Sequence, residues 1–196
     1  EAMVHCMNNK DVIIDWKNLV LSLKGCDKPS DLSDGRYLHS LLCKYGLDQS
    51  IFIGNCLIQM YGQCGSPEEA ELAFYRLLPK ANLFSWNLLM KSYLQNGHFE
   101  TVKLVFDTLP SKDVVSWTSM IKASTLNGKD KEALHVFYEM QRSEDIEPNN
   151  VTYVCILSAC NTPDALEDGY KIHASIVYNG YEVDEMLGTS LVSMYG

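Results

Sequence analysis

Residues 84–97 read FSWNLLMKSYLQNG, and residues 115–128 read VSWTSMIKASTLNG, the same frame 31 residues later. Trp86 aligns with Trp117, Lys91 with Lys122, and Asn96-Gly97 with Asn127-Gly128. In the first stretch Trp86, Leu89, Met90, Tyr93 and Leu94 recur at helical spacing and give one apolar face. Asn96-Gly97 ends that helix, because glycine accepts the left-handed backbone of a C-terminal cap. A second apolar set, from Phe99 through Val102, Val105 and Phe106 to Leu109, runs until Pro110 breaks it. The stretch therefore predicts a helical hairpin, and its return predicts an array of them.

Working outward, each unit is anchored on its turn glycine, and position 1 is counted as two residues before the serine of Ser-Trp. Units then run 51–82, 83–113 and 114–149, with Gly65, Gly97 and Gly128 at position 15 and Phe74, Phe106 and Phe137 at position 24. Units 16–50 and 150–184 lack that glycine but resemble each other. Residues 185–196 begin a further unit, and residues 1–15 read as the end of a preceding one. The five unit lengths are 35, 32, 31, 36 and 35 residues, and the chain repeats again at a spacing of 134. Cys26 matches Cys160, Asp34-Gly35 matches Asp168-Gly169, His39 matches His173, and Met60-Tyr61-Gly62 matches Met194-Tyr195-Gly196. Fourteen of the 43 pairs from Val20/Val154 to Gly62/Gly196 are identical, so four different units form one larger block. A single hairpin cannot bury its apolar face alone. The predicted fold is all-α, an α-solenoid of stacked helix-turn-helix units. Trp86 and Trp117 are expected to point within their own hairpins as core residues.

Composition bounds the chemistry. The chain has 196 residues, 46% apolar and 21% charged, which is ordinary for a soluble domain with a core. No apolar run approaches the ~18–20 residues of a membrane span. Both ends read as cuts within a longer protein. Seven cysteines without a C-x-x-C pair read as core thiols. The net charge of −9 opposes nucleic-acid binding, which draws on cations that neutralise phosphate.

No phosphate loop, nucleophile elbow or paired-carboxylate pattern is present. His98-Phe99-Glu100 spells the first half of a zinc deaminase signature, but the P-C-x-x-C half is missing. His39 and His173 sit among apolar residues with no second ligand evident, which assigns them to packing or hydrogen bonding. Asn150-Val151-Thr152 fits a glycosylation acceptor with nothing else pointing to secretion. The expectation is a binding array: no catalytic residue, metal, cofactor, membrane or small-molecule substrate.

The motifs FSWNLLMKSYLQNG, VVSWTSMIKA with EALHVFYEMQ and IEPN, IFIGNCLIQMYGQCG, and the pair LSDGRYLHS and LEDGYKIHA together resemble plant pentatricopeptide repeats. The alternation of lengths resembles their PLS subclass. On that resemblance 16–50 and 150–184 are L-type, 51–82 and 83–113 S-type, 114–149 P-type, and 185–196 the start of another S-type repeat.

The resemblance implies a right-handed superhelix that binds single-stranded RNA, one base per repeat. The residue at position 2 would sandwich a base, here Phe52, Phe84, Val115 and Val151. Position 5 and the last residue of the unit would read its edge. Those pairs are Asn55 with Asn82, Asn87 with Asp113, and Thr118 with Asn149, implying a pyrimidine with C favoured, then U, then A. The L-type pairs are Val20 with Ser50 and Val154 with Asp184, where valine offers no hydrogen bond. Thr189 opens the next unit and favours a purine. Many RNA-binding members carry lysine at position 13, where this chain has Gln63, Gln95, Leu126 and Thr162. Lys91 and Lys122, at position 9, supply positive potential or a solvated face.

Members of this subclass act in organellar C-to-U RNA editing, often with a cytidine deaminase after the repeats. That implies a mitochondrial or chloroplast protein, mitochondrion ahead, with RNA and other editing-complex proteins as partners. The rival reading is a tetratricopeptide-like protein-interaction scaffold. Against it, the glycine such a repeat places after its leucine is Met90 or Ile121 here.

Overall fold

The computed structural model describes residues 16–143 and 145–196. The expected end of a preceding repeat, residues 1–15, lies outside them. Among the described residues every regular element is helical. In chain order the helices are α1 (Trp16–Gly25), α2 (Leu32–Lys44), α3 (Ile51–Gln63), α4 (Pro67–Leu77), α5 (Leu83–Gln95), α6 (Phe99–Thr108), α7 (Val114–Leu126), α8 (Asp130–Arg142), α9 (Asn150–Leu157), α10 (Leu166–Tyr178) and α11 (Glu185–Tyr195). They fall into two compact units, one ending at Gly97 and the other beginning at His98.

In the first unit α1 to α5 stack in antiparallel succession around Leu23, Leu42, Leu57, Met60, Phe74 and Met90, all nearly inaccessible. Gly65 and Gly97 take positive φ, 80° and 76°, where α3 and α5 end. That is the left-handed backbone which side chains disfavour. Gly62 is helical and serves another purpose. A Cβ there would lie 2.7 Å from Ser92 Oγ and 3.0 Å from its Cα, so the bare backbone lets α3 and α5 approach. Asn96 locks the same end by donating from Nδ2 to the Gly62 carbonyl at 2.9 Å.

The second unit builds α6 to α11 by the same rules around Val102, Ile121, Phe137, Met140, Ile156 and Ile176. Gly128 closes α7 at φ 64°. Where position 15 lacks glycine, short 3-10 turns replace the glycine turn: Pro29–Asp31 before α2, and Pro163–Ala165 before α10. Proline fits there because its missing N–H falls among donors that have no helical partner.

The spacing of 134 residues has a physical cause in both units. A Cβ on Gly35 would fall on the Met60 thioether, and one on Gly169 would fall on Met194. His39 Nδ1 meets Tyr61 Oη at 2.7 Å, and His173 Nδ1 meets Tyr195 Oη at the same distance. The histidines thus take the hydrogen-bonded packing role expected of them.

The tryptophans make a contact that the sequence did not announce. Trp86 meets Phe74 of the helix before it edge to face, with centroids 4.6 Å apart. Trp117 meets Phe106 at 5.0 Å, and Tyr153 meets Phe137 at 6.0 Å, in the same way. Position 4 of one unit therefore seats on position 24 of the unit before. Such pairs contribute about 0.5–1.5 kcal/mol beyond their area burial. The apolar periodicity located these rings on the packing face but did not show that the preceding second helix would meet them.

Phe106→Ala is expected to lower stability by about 3–5 kcal/mol, the cost of emptying a buried aromatic site. Leu104→Ala, exposed on the same helix, should stay within about 0.5 kcal/mol. Urea unfolding of the two variants compares them directly.

Candidate nucleic-acid interface

Position 4 is turned into the stack, and 3.6 residues per turn put position 2 about 200° away from it. Positions 2, 5 and 9 then share one stripe along each first helix. At position 2, Phe52, Phe84, Val115 and Val151 are all large apolar side chains left 51–60% exposed. Met186 on α11 occupies the same register at 60% and was missed in the sequence, where residues 185–196 were read only as the start of a unit.

Position 5 is less accessible. Asn55 and Asn87 are each 8% exposed, Val20 is buried, Thr118 and Val154 are half-buried, and Thr189 is exposed. Asn55 Oδ1 is buried without a hydrogen-bond partner among the described residues. Thr189 Oγ1 donates to the Glu185 carbonyl at 2.7 Å.

The last residues of the units have a second duty. Asn82, Asp113, Asn149 and Asp184 are the N-caps of α5, α7, α9 and α11. Asn82 Oδ1 accepts from the Ser85 amide at 3.1 Å, Asp113 Oδ1 from Ser116 at 2.8 Å, Asn149 Oδ1 from Thr152 at 3.0 Å, and Asp184 Oδ1 from Leu187 at 2.8 Å. Ser50 caps α3 without a side-chain bond. The Leu187 amide, with Asn150 Nδ2 donating at 3.2 Å, holds the Asp184 carboxyl below its usual range. Asn150, the glycosylation-like asparagine, is engaged in that contact.

A cap spends one oxygen. For asparagine that oxygen is the carbonyl, so the amide NH2 is what the cap leaves to offer; aspartate keeps a second acceptor instead. The backbone has converted an Asn/Asp choice into a donor/acceptor choice.

In the second unit position 5 and the last residue are joined physically. Thr118 Oγ1 lies 2.7 Å from Thr152 Oγ1, and Thr152 Oγ1 donates to Asn149 Oδ1 at 3.0 Å. With its only proton committed there, Thr152 accepts from Thr118, whose remaining lone pairs are then its free valence. Thr118 is left an acceptor and Asn149 a donor.

The exposed lysines Lys24, Lys91 and Lys122 continue the stripe at position 9. Lys24 Nζ stands 5.2 Å from the centroid of the Phe52 ring. Burial pushes the thiols of Cys56 and Cys155 up, and Lys24 and Lys122 respectively draw them back. The Lys24 ammonium faces the first helix of the following unit through its contact with Phe52. Lys24 was overlooked in the sequence because its unit lacks the Ser-Trp anchor.

Comparison with known proteins matches this repeating plan to two family models, one described as PPR repeat family over residues 112–162 and one as PPR repeat over 55–78 and 84–114. Together they cover just over half of the residues. The chain belongs to the pentatricopeptide repeat family. Among similar pentatricopeptide repeat-containing proteins of Arabidopsis thaliana, At3g22690 is 30% identical over 189 residues, covering 96% of this chain and 19% of that protein. The chloroplastic protein At5g55740 is 32% identical over 161 residues, covering 82% of this chain and 15% of that protein. The mitochondrial protein At3g09040 is 25% identical over 260 residues, covering 96% and 25%. The chain thus spans a quarter or less of the length of these relatives. Maize PPR10 is similar in structure, with a TM-score of 0.74 at 19% identity over 99% of this chain and 28% of that one. PPR10 in complex with an 18-nt psaJ RNA element gives 0.75 at 20% identity, over 99% and 29%. These likenesses establish the pentatricopeptide repeat fold, an all-α solenoid.

Because asparagine and aspartate cap equally well, Asn82→Asp should leave thermal stability nearly unchanged. Asn82→Ala should cost about 1 kcal/mol, within a range of roughly 0.5–2. A thermal melt of each variant separates the capping duty of this residue from any other.

Proposed function

We propose that the chain is a stretch of a single-stranded RNA-binding pentatricopeptide repeat protein of the PLS type, one that reads a pyrimidine-U-A core. The observation that carries this is the Thr118–Thr152–Asn149 chain of hydrogen bonds. It brings together two residues 31 apart that the family resemblance pairs on one base, and leaves them one acceptor and one donor.

The exposed side chains at position 2 offer stacking surfaces, and position 5 beside them is less accessible in most units. Thr118 as acceptor and Asn149 as donor match adenine, whose N6 amine donates beside an accepting N1. Cytosine presents the same order, and the resemblance favours the purine where position 5 is threonine. Asn82 Nδ2 as donor and Asn55 Oδ1 as acceptor match the N3 and N4 groups of cytosine. Asp113, which can only accept, suits the imide N–H of uracil. Val20 and Val154 leave the L-type units weakly discriminating.

Charge is the opposing consideration, and Lys24, Lys91 and Lys122 answer part of it. Base stacking contributes roughly 1–3 kcal/mol per base, so three reading units make a modest binder within a longer array. Relatives with chloroplastic and mitochondrial names support an organellar protein. C-to-U editing, by this protein with partner proteins or with a deaminase following the repeats, is the activity proposed for the whole.

Selection from randomised single-stranded RNA should enrich pyrimidine-U-A in the direction of the repeats. Thr118→Asn with Asn149→Asp should move the third base to U. No enrichment, or an unmoved third base, rejects the reading.

Phe84→Ala should weaken binding of the selected RNA by about 1–3 kcal/mol. Replacing Lys24, Lys91 and Lys122 by glutamine should flatten the salt dependence, as each lost phosphate contact removes roughly 0.7 from the slope for a single strand. Affinity measured across a potassium series gives both values; an unchanged slope would assign these lysines to a merely solvated face.

A further inference from the structure

Among the described residues one group of side chains could hold a metal ion, and it lies in the first unit away from the position 2, 5 and 9 stripe. A ring nitrogen of His39, Cys43 Sγ and a carboxylate oxygen of Asp48 lie within 4.8 Å of one another. His39 and Cys43 are one turn apart on α2, and Asp48, 8% exposed, follows in the next loop. Tyr61 Oη occupies His39 Nδ1 at 2.7 Å. The other nitrogen, Nε2, is buried and has no hydrogen-bond partner among the described residues. A buried imidazole nitrogen without a partner is costly, and its cost is relieved if its lone pair is given to a ligand.

The second copy of the block acts as an internal control. His173 and Tyr195 repeat the imidazole–phenol contact at 2.7 Å, so packing alone accounts for that pair. It does not account for Cys43 and Asp48, whose counterparts 134 residues on are Val177 and Glu182. Only the first copy adds a thiol and a buried carboxylate beside the histidine.

We propose that His39 Nε2, Cys43 Sγ and the Asp48 carboxylate form a three-ligand site for Zn2+, with the fourth position open to water or a partner's side chain. A mixed nitrogen, sulfur and oxygen set suits this borderline ion rather than Mg2+ or Ca2+, which take oxygen. The hydrogen bond from Nδ1–H to Tyr61 supplies what a metal-binding histidine needs, a fixed ring and tautomer. Bonds of roughly 2.0–2.3 Å require the three ligand atoms to draw together by about 1 Å. On binding, the Cys43 thiol gives its proton to solvent and its sulfur lone pair to the metal. Arg76 is the competitor: its Nη1 lies 3.3 Å from both Cys43 Sγ and Asp48 Oδ2, while its side chain is 56% exposed and free to turn outward. The guanidinium is a resident cation that the metal replaces.

Titrating the reduced 196-residue chain with Co2+ tests this, since cobalt bound to thiolate gives a charge-transfer band that Zn2+ should then abolish. One equivalent is expected, with the band lost in Cys43→Ser and retained in Cys56→Ala and Cys155→Ala. Tyr61→Phe should weaken binding roughly 10–100-fold. Arg76→Gln should tighten it, an outcome that a merely folded or misfolded variant does not produce. Helical circular dichroism checks that each variant is folded. Absence of the band at excess Co2+, its survival in Cys43→Ser, or an Arg76→Gln variant that binds no tighter would each overturn the site.

Discussion

Between one hairpin and the next, the ring at position 4 of a first helix sits edge-on against the phenylalanine at position 24 of the preceding second helix. Phe74–Trp86, Phe106–Trp117 and Phe137–Tyr153 all do this, with closely similar angles between the rings. The contact is energetically modest, but it fixes the rotation of each first helix about its axis. Once position 4 is committed inward, helical geometry alone decides that positions 2, 5 and 9 share another face. The exposure of Phe52, Phe84, Val115, Val151 and Met186 follows from the burial of the aromatic rings two residues after most of them. These exposed apolar side chains recur at one register of each first helix.

Much of this was legible in the sequence. The glycines at position 15 announced the turns, and three of them adopt the backbone that only glycine takes easily. The 134-residue spacing marked Gly35, His39, Met60 and Tyr61 as recurring positions, but not that Gly35 meets Met60 or that His39 meets Tyr61. What the sequence withheld was direction between units. A tryptophan on the packing face has the same periodicity whether or not the previous hairpin meets it. The Thr118–Thr152 contact was likewise hidden, since nothing in a one-dimensional pattern links position 5 of one unit to position 3 of the next. The grouping of His39 with Cys43 was available as an i, i+4 spacing, but Asp48 joins it only through the loop after α2.

The acidity of the chain is compatible with the proposed RNA surface because of where the charges lie. Several acidic groups are paired along the second helices, as in Arg36–Glu69, Lys103–Glu132 and Lys129–Glu100. The lysines of position 9 lie on first helices beside the apolar side chains. Net charge summed over a repeat protein averages faces that meet different partners.

The capping asparagines and aspartates carry a wider consequence. A residue that must start a helix is drawn from a short list: serine, threonine, asparagine and aspartate cap well, and long or branched apolar side chains do not. Any recognition alphabet written at these positions is therefore restricted by the architecture before selection acts on it. Within that list letters can be exchanged at almost no cost in stability. The same geometric demand that keeps the vocabulary small makes each word easy to rewrite.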